Sequence, residues 1–479
     1  MSGGMQRADR RVRGVRAAYN VGLILPLEPL MSSFEFFAPC PRGLEAPLAA
    51  ELREISAHAP LKVGAEVPGG VHFAGEWAAA MAANLHSRIA SRVLMKIAQR
   101  PYRSEHDIFA FALEQPWERW FTANQTLRID VTAIKSPLKS LEFTTLKVKD
   151  AVCDRLREKT GARPNIDTAE PDVRIFVFVT ATDCTLYLDT SGEPLFKRGW
   201  RLDKGAAPLR ENLAAGILRL TGWTPGTPLY DPMCGSGTFL AEAVQQSLGV
   251  APGVQRRFGF EKLKQYDINA WQALKVAALD KQRAARTAKV DDLRIFGSDI
   301  SGDMLEKARS NLARAGVPTL VLKQLDARHM VAPVDEPGVL VANPPYGERI
   351  EVRGRGPRGE ARPTSRSERE PGRVQRGGYQ RDGERAGDRN RDDDGDGSRG
   401  FERAESEELG AEFFQAFGDA LKQRFTGWHA FMLSSDRGLP GQLRLRESTK
   451  TPLFNGALEC RLFRFDLIAG SVRRREPEA

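Results

Sequence analysis

Three stretches of this sequence predict an α/β fold. The expected architecture is an open, mainly parallel sheet closed by an antiparallel hairpin, with smaller α+β parts ahead of it. In the first stretch, Pro228-Leu229-Tyr230 reads as a strand and runs into Asp231-Pro232-Met233-Cys234-Gly235-Ser236-Gly237-Thr238. A helical pattern follows from Phe239 to about Ser247, completing a strand, Gly-rich turn and helix. The second is the apolar run Val339-Leu340-Val341-Ala342, bounded upstream by Pro337 and Gly338, which reads as a buried parallel strand. It delivers Asn343-Pro344-Pro345-Tyr346 at its carboxyl end, where open α/β sheets bind ligands. The third is Asn455-Gly456, a hairpin signal between the run ending at Phe454 and the run Leu458 to Ile468.

The chain is 479 residues long, room for about two or three domains, and its 41% hydrophobic content can fill real cores. A net charge of +9 and a pI near 9.3 lean toward a polyanionic partner. The cysteines (Cys40, Cys153, Cys184, Cys234, Cys460) are scattered without a CxxC pair. That argues against a zinc or iron–sulfur site and against a disulfide framework, and it fits a reducing, cytoplasmic setting. No apolar run approaches the roughly 18–20 residues of a membrane span.

In chain order, residues 1–30 are Arg-rich and then Pro-interrupted, and they contrast with the regular pattern that opens at Met31. They read as a disordered tail, or as sequence ahead of a true start at Met31. Residues 31–76 read as strand (Phe34 to Phe37), amphipathic helix (Arg42 to Ile55, with Leu44, Leu48, Leu52 and Ile55 on one face) and strand (Val71 to Phe73). His72 is expected to be a half-buried strand residue, since no partner stands at metal spacing. Residues 77–190 alternate again: a helix from Trp77 to Ile97 with Arg88, Arg92 and Lys96 on one side, a strand from Leu127 to Val131, a helix from Phe143 to Lys159, and a hairpin of Val173–Val179 and Thr185–Asp189. Basic residues at helix starts and in loops suit phosphates, or equally a solvated helix face.

A linker over 191–207 leads to the parallel-sheet domain, expected at 208–350 and 405–470. Its further elements are a helical insertion at 253–290, a strand ending at Ser298-Asp299, a helix from Met304 to Ala315, a strand at Leu320 to Leu322, and helix and strand patterns from Glu405 to Phe425 and His429 to Leu433. Residues 351–404 are dominated by Arg, Gly, Asp, Glu and Ser and lack the apolar residues needed to build a core, so disorder is expected there.

The chemistry these residues suit is methylation of an exocyclic amino group. The lone pair of such an amine is delocalised into the base ring, which makes it a poor nucleophile. The side-chain oxygen of Asn343 and a proline carbonyl, that of Pro344, can each accept one N–H and draw the nitrogen toward tetrahedral geometry. Proline fixes φ and so aims that carbonyl, and Tyr346 offers a face for a flipped-out base. Asn-Pro and Pro-Pro are also ordinary turn signals. In the Gly-rich stretch the glycines admit a ligand close to the backbone, Asp231 suits a cationic amino group, and Asp299 at a strand end suits ribose hydroxyls.

With both motifs in place, the chain resembles the class I S-adenosyl-L-methionine-dependent RNA methyltransferases that carry a THUMP domain. The likeness is nearest to the guanine-N2 half of the bacterial 23S rRNA enzymes. Arg42-Gly43-Leu44-Glu45, Gly70 to Phe73, Lys147 to Asp150, Arg163 to Asp167, Pro171 to Arg174 and Gly226 to Leu229 add to it. The resemblance implies a Rossmann-like methyltransferase domain behind ferredoxin-like (31–76) and THUMP (77–190) parts, with RNA as partner and no metal or membrane. By position, Asp231, Gly235 and Gly237 would face the methionine end of the cofactor, Asp299 the ribose and Asp326 the adenine. Asn343, Pro344 and Tyr346 would hold the guanine. Two departures stand out: the long 351–404 insertion, and an end that comes before the second methyltransferase domain fused on in some relatives, so a second activity is not expected. A tRNA guanine-N2 enzyme and a non-enzymatic RNA-binding assembly protein are the alternatives. A cytosine-C5 enzyme would need a nucleophilic Cys in the catalytic loop, which is absent.

Overall fold

The computed structural model describes residues 33–201, 209–318, 320–344 and 396–468, with side chains in the last segment from 410 onward. The expectations for residues 1–30, for most of the 351–404 insertion and for Tyr346 lie outside the described residues.

The first sheet contains β1 (Phe34–Pro39), β2 (Leu61–Val67), β3 (Gly70–Gly75), β4 (Leu94–Pro101), β5 (Leu127–Ala133), β6 (Val173–Val179) and β7 (Asp183–Asp189), in the spatial order β2-β3-β1-β4-β7-β6-β5. Strand β4 pairs with both β1 and β7, so the amino-terminal part and the part that follows it share one continuous sheet. Helix α1 (Glu45–Ile55) buries Leu48, Leu52 and Ile55 as its periodicity predicts. His72 is half-buried on β3, its ring against Phe37.

Between Trp77 and Ile97 the structure departs from the single helix expected there. Helix α2 (Trp77–His86) stops ten residues in, Ser87 turns to an extended backbone, and β4 begins at Leu94. The cause is tertiary. The buried carboxylate of Glu51 on α1 accepts from Ser87 Oγ (2.6 Å), Arg88 N (2.8 Å) and Ile89 N (3.2 Å), which captures the backbone donors a longer helix would need. Arg88, Arg92 and Lys96 therefore share no helix face. They pair with Glu242, Asp189 and Glu35, and the helix face expected for them does not form. Two elements went unread: edge strand β2, and α3 (Glu105–Glu114), whose capping box links Ser104 and Asp107. Helix α4 (Leu141–Thr160) is capped by Ser140 and ends at Gly161 with φ +75°.

The second sheet follows the predicted plan. Strands β8 (Leu229–Asp231), β9 (Ile295–Asp299), β10 (Leu322–Gln324), β11 (Val339–Ala342) and β12 (His429–Ser434) run parallel, and β13 (Thr449–Asn455) and β14 (Leu458–Asp466) close it as an antiparallel hairpin. The order is β10-β9-β8-β11-β12-β14-β13, so the direction of winding reverses between β8 and β11. Residues of β11 alternate between two cores. Val339 and Val341 join the one shared with the amino-terminal sheet, while Leu340 and Ala342 join the one with Phe425 and Trp428. That double burial explains the unbroken apolar run. The helices are α5 (Glu211–Leu220), α6 (Thr238–Ser247), α7 (Ile268–Ala285), α8 (Gly302–Arg314) and α9 (Asp396–Arg424).

The two sheets are joined by buried polar groups. Glu242 on α6 accepts from Arg198 Nε (3.2 Å) and Arg88 Nη1 (3.3 Å), and Asn212 on α5 donates to Ser91 Oγ (3.1 Å). Beside this junction a cavity of about 270 Å³ is lined by Glu51, His58, His86, Arg88, Arg219 and Lys281. The rings of His58 and His86 stack there with centroids 3.8 Å apart. Burial first, then His58, Lys281 and Arg88, push His86 down to about 3. His58 is lowered too, by burial and Lys281. Below pH 6.5 the unfolded chain binds protons that the folded chain refuses. Stability contributed by the neutral His86 is therefore lost as pH falls from about 6.5 toward 3, at up to roughly 1.4 kcal/mol per unit. Melting temperature is expected to fall between pH 7 and pH 5, and to fall less in His86→Gln. Equal pH slopes for the two proteins would refute this assignment.

Candidate active site

The carboxyl ends of β8, β9 and β11 meet at the reversal of winding, the place where such sheets bind ligands. The Gly-rich turn leaves β8 and enters α6. Gly235 (φ +52°) and Gly237 (φ +80°) take left-handed conformations, and a Cβ on Gly237 would lie 3.1 Å from that of Ala308. Cys234 is buried in this turn, its thiol pushed up by burial, and its N–H donates to the carbonyl of Ser298 (2.9 Å). It packs; it is not poised as a nucleophile.

Asp299 ties the turn to β9. Its Oδ2 accepts from Gly235 N (2.8 Å) and its Oδ1 from Ser301 N (2.9 Å). Asp231 is 2% exposed and accepts from Met233 N (3.2 Å). Burial, with Asp299 nearby, holds its carboxyl well above the usual range, and among the described residues no cation lies against it. Burial favours its neutral form, and a cationic ligand group beside it would favour the carboxylate. Ile300, directly after Asp299, is 61% exposed, an apolar side chain at the mouth that sequence reading passed over.

Asp326 lies two residues beyond β10, brought to the site by the Leu325 N–H donating to Asp299 O (3.0 Å). Its carboxylate is not open in the way Asp231 is. Arg328 grips both oxygens, at 3.1 and 3.0 Å through Nε and at 2.7 Å through Nη2, and that hydrogen bonding holds it below its usual range.

Asn343 follows β11. Parallel pairing aligns Leu340 with Tyr230, which places Asn343 just beyond the level of Asp231. Its Oδ1 is buried and has no hydrogen-bond partner among the described residues. Pro344 is buried beside it. An orphaned carbonyl oxygen at a ligand-binding strand end is a site waiting for a donor. Arg201 also went unread. It reaches into the Gly-rich turn, its Nη2 donating to Ser236 Oγ (3.2 Å). No group of three or more potential metal ligands occurs among the described residues, nor does any helix long and apolar enough to cross a membrane.

A glycine turn, strand-end carboxylates and an Asn-Pro acceptor thus gather at one edge of a seven-stranded sheet, where a nucleotide-like cofactor can be held. Three family models match along the chain: the RlmL ferredoxin-like domain at 35–94, the THUMP domain at 102–189 and the RMKL-like methyltransferase domain at 198–357. The chain is 34% identical to "Putative RNA methyltransferase slr0064" of Synechocystis sp., covering 90% of this chain and 96% of that protein. It is 35% identical to ribosomal RNA large subunit methyltransferase K/L of Aeromonas hydrophila, covering 91% of this chain and 55% of that protein. The chain thus spans about half the length of that curated relative. The crystal structure of SMU.472, "a putative methyltransferase complexed with SAH", superposes with a TM-score of 0.69 at 25% identity, covering 92% of this chain and 99% of that one. The chain belongs to the family of RMKL-like methyltransferases that carry ferredoxin-like and THUMP domains.

Proposed function

We propose that the chain transfers a methyl group from S-adenosyl-L-methionine to the exocyclic N2 of a guanosine in 23S rRNA. The observation that carries this reading is the buried Oδ1 of Asn343 at the carboxyl end of β11, which has no hydrogen-bond partner among the described residues. It and the Pro344 carbonyl accept the two N–H groups of the amine, which localises the nitrogen lone pair and aims it at the methyl donor. The bound cofactor supplies an electrophilic methyl group. The residues present fit it. Gly235 and Gly237 keep the turn open to its methionine end, the unneutralised Asp231 takes its ammonium, Asp299 its ribose, and Ile300 an adenine face. Asp326, shared with Arg328, borders the adenine edge. Tyr346 is assigned to base stacking from its place in the motif.

RNA contact is assigned to the stretch from Ile134 through the first turns of α4. There Ile134, Leu141, Phe143 and Leu146 are exposed, Lys135 and Lys139 flank them, and Lys147 lies over the Phe143 ring. Exposed aromatic and apolar groups among lysines suit bases and phosphates together. The naming of the Aeromonas relative favours large-subunit rRNA.

The test is mass spectrometry of nucleosides from 23S rRNA and tRNA of a strain lacking the gene. N2-methylguanosine should drop in 23S rRNA. Loss from tRNA alone would move the substrate to tRNA, and loss from neither would end the reading. At the cofactor, Asp299→Ala is expected to weaken S-adenosylhomocysteine binding by roughly 1.5–3 kcal/mol, the range for hydrogen bonds to a charged group. Unchanged affinity by calorimetry would place Asp299 outside the cofactor site.

A further inference from the structure

Arg201 is a buried cation with an unused edge. Its side chain is 7% exposed. One edge of the guanidinium is committed: Nη1 donates to Leu209 O (2.7 Å) and to Glu211 Oε1 (3.4 Å). Among the described residues, the opposite edge, formed by Nε–H and Nη2, meets only the hydroxyl of Ser236 at 3.2 Å. Nε is buried and has no hydrogen-bond partner among the described residues. This Nε/Nη2 edge is one of the forks an arginine offers to a carboxylate for two parallel hydrogen bonds.

Its surroundings hold that fork in place. Arg314 Nε donates to the carbonyl of Trp200 (2.9 Å), next to Arg201, and Trp200 itself is 1% exposed. On the far side Asn311 Nδ2 donates to the carbonyl of Ser236 (3.0 Å), so the serine between Gly235 and Gly237 is fixed from α8. Glu211 is buried, its carboxyl pushed up by that burial and pulled back by Arg201. The pairing with Glu211 uses Nη1, and Nε on the other edge has no partner among the described residues.

We propose that Arg201 is the anchor for the α-carboxylate of the cofactor's amino-acid end. This rests on the methyltransferase reading and extends it. An amino acid end is a zwitterion, and the turn presents both complements: the unneutralised carboxylate of Asp231 before it and the Arg201 fork against Ser236 within it. Recognition of this end is separable from recognition of the adenosine, which the residues at β9 and β10 serve.

The experiment compares two probes on the full chain by calorimetry. S-adenosylhomocysteine carries the zwitterion, whereas 5′-methylthioadenosine keeps the adenosine and thioether and lacks it. Arg201→Met should lose roughly 10- to 100-fold in affinity for S-adenosylhomocysteine, the range for a charge-assisted fork, and change less than about threefold for methylthioadenosine. Arg201→Lys keeps the charge without the fork and guards against misfolding of the methionine variant. It should show the same selective loss, smaller in size, with an unshifted melting temperature. Equal loss for both probes, or no loss for either, would overturn the anchor. Failure of the unaltered protein to bind S-adenosylhomocysteine at all would overturn the methyltransferase reading and the anchor with it.

Discussion

Asn343→Ala is expected to reduce kcat on the RNA substrate by roughly 10²–10³, the cost of removing one preorganised hydrogen-bonding group from a transition state. The affinity for S-adenosylhomocysteine should stay within about twofold, because the role proposed for the side chain is at the amine and not at the cofactor. A second, less usual sign should accompany the loss. Asn343 Oδ1 is buried without a partner among the described residues, and such an atom costs the fold about 1–3 kcal/mol. Its removal should leave the melting temperature unchanged or raise it. Lower activity with equal or higher stability marks a group held ready for a ligand, whereas a turn-forming asparagine would lose stability on truncation. Asn343→Asp should also be nearly inactive, since the added charge would be buried at the strand end. Single-turnover measurements of kcat, with calorimetry and melting curves on the same preparations, decide it. A variant retaining a tenth or more of wild-type turnover would assign activation of the amine to another group.

The parts of this site that could be read from the sequence are those made by local geometry. A strand, Gly-rich turn and helix fold in the order they are written, so Asp231, Gly235 and Gly237 arrive together, and the apolar run of β11 carries Asn343 to the same edge. Arg201 was out of reach because nothing near it in the chain shows that it will touch Ser236, 35 residues on. The same limit explains the error after Trp77. Local pattern continued the helix through Arg88, while the group that ends it, Glu51, lies 36 residues upstream of Ser87. Arg88, Arg92 and Lys96 looked like a basic face because their partners are also distant. Helix α3 was legible and was missed: Ser104 and Asp107 stand at capping-box spacing.

Glu242 should prove the most costly side chain to remove from the junction between the sheets. It is fully buried on α6, just past the Gly-rich turn, and it is the carboxylate partner of Arg88 and of Arg198, itself 2% exposed. Arg88 comes from the loop between α2 and β4, and Arg198 from the strap leading into the second sheet, so a single carboxylate holds three segments. The other contacts of these arginines are carbonyls: Val250 O for Arg88, and Leu195 O (2.7 Å) and Arg88 O for Arg198. Carbonyls satisfy N–H groups but do not neutralise charge. Glu242→Ala would leave two buried guanidinium groups with no carboxylate bonded to their side chains, a defect that typically costs about 3–5 kcal/mol. Glu242→Gln keeps one acceptor and should fall between that variant and wild type. Urea denaturation followed by tryptophan fluorescence measures it, with Trp200 a buried reporter two residues from Arg198. Replacing Arg88 and Glu242 together by methionine and glutamine should recover part of the loss, because one of the stranded charges is then gone. A Glu242→Ala protein within about 1 kcal/mol of wild type would mean that water or a rearranged neighbour neutralises these arginines, and that the carboxylate is not what holds the two sheets together.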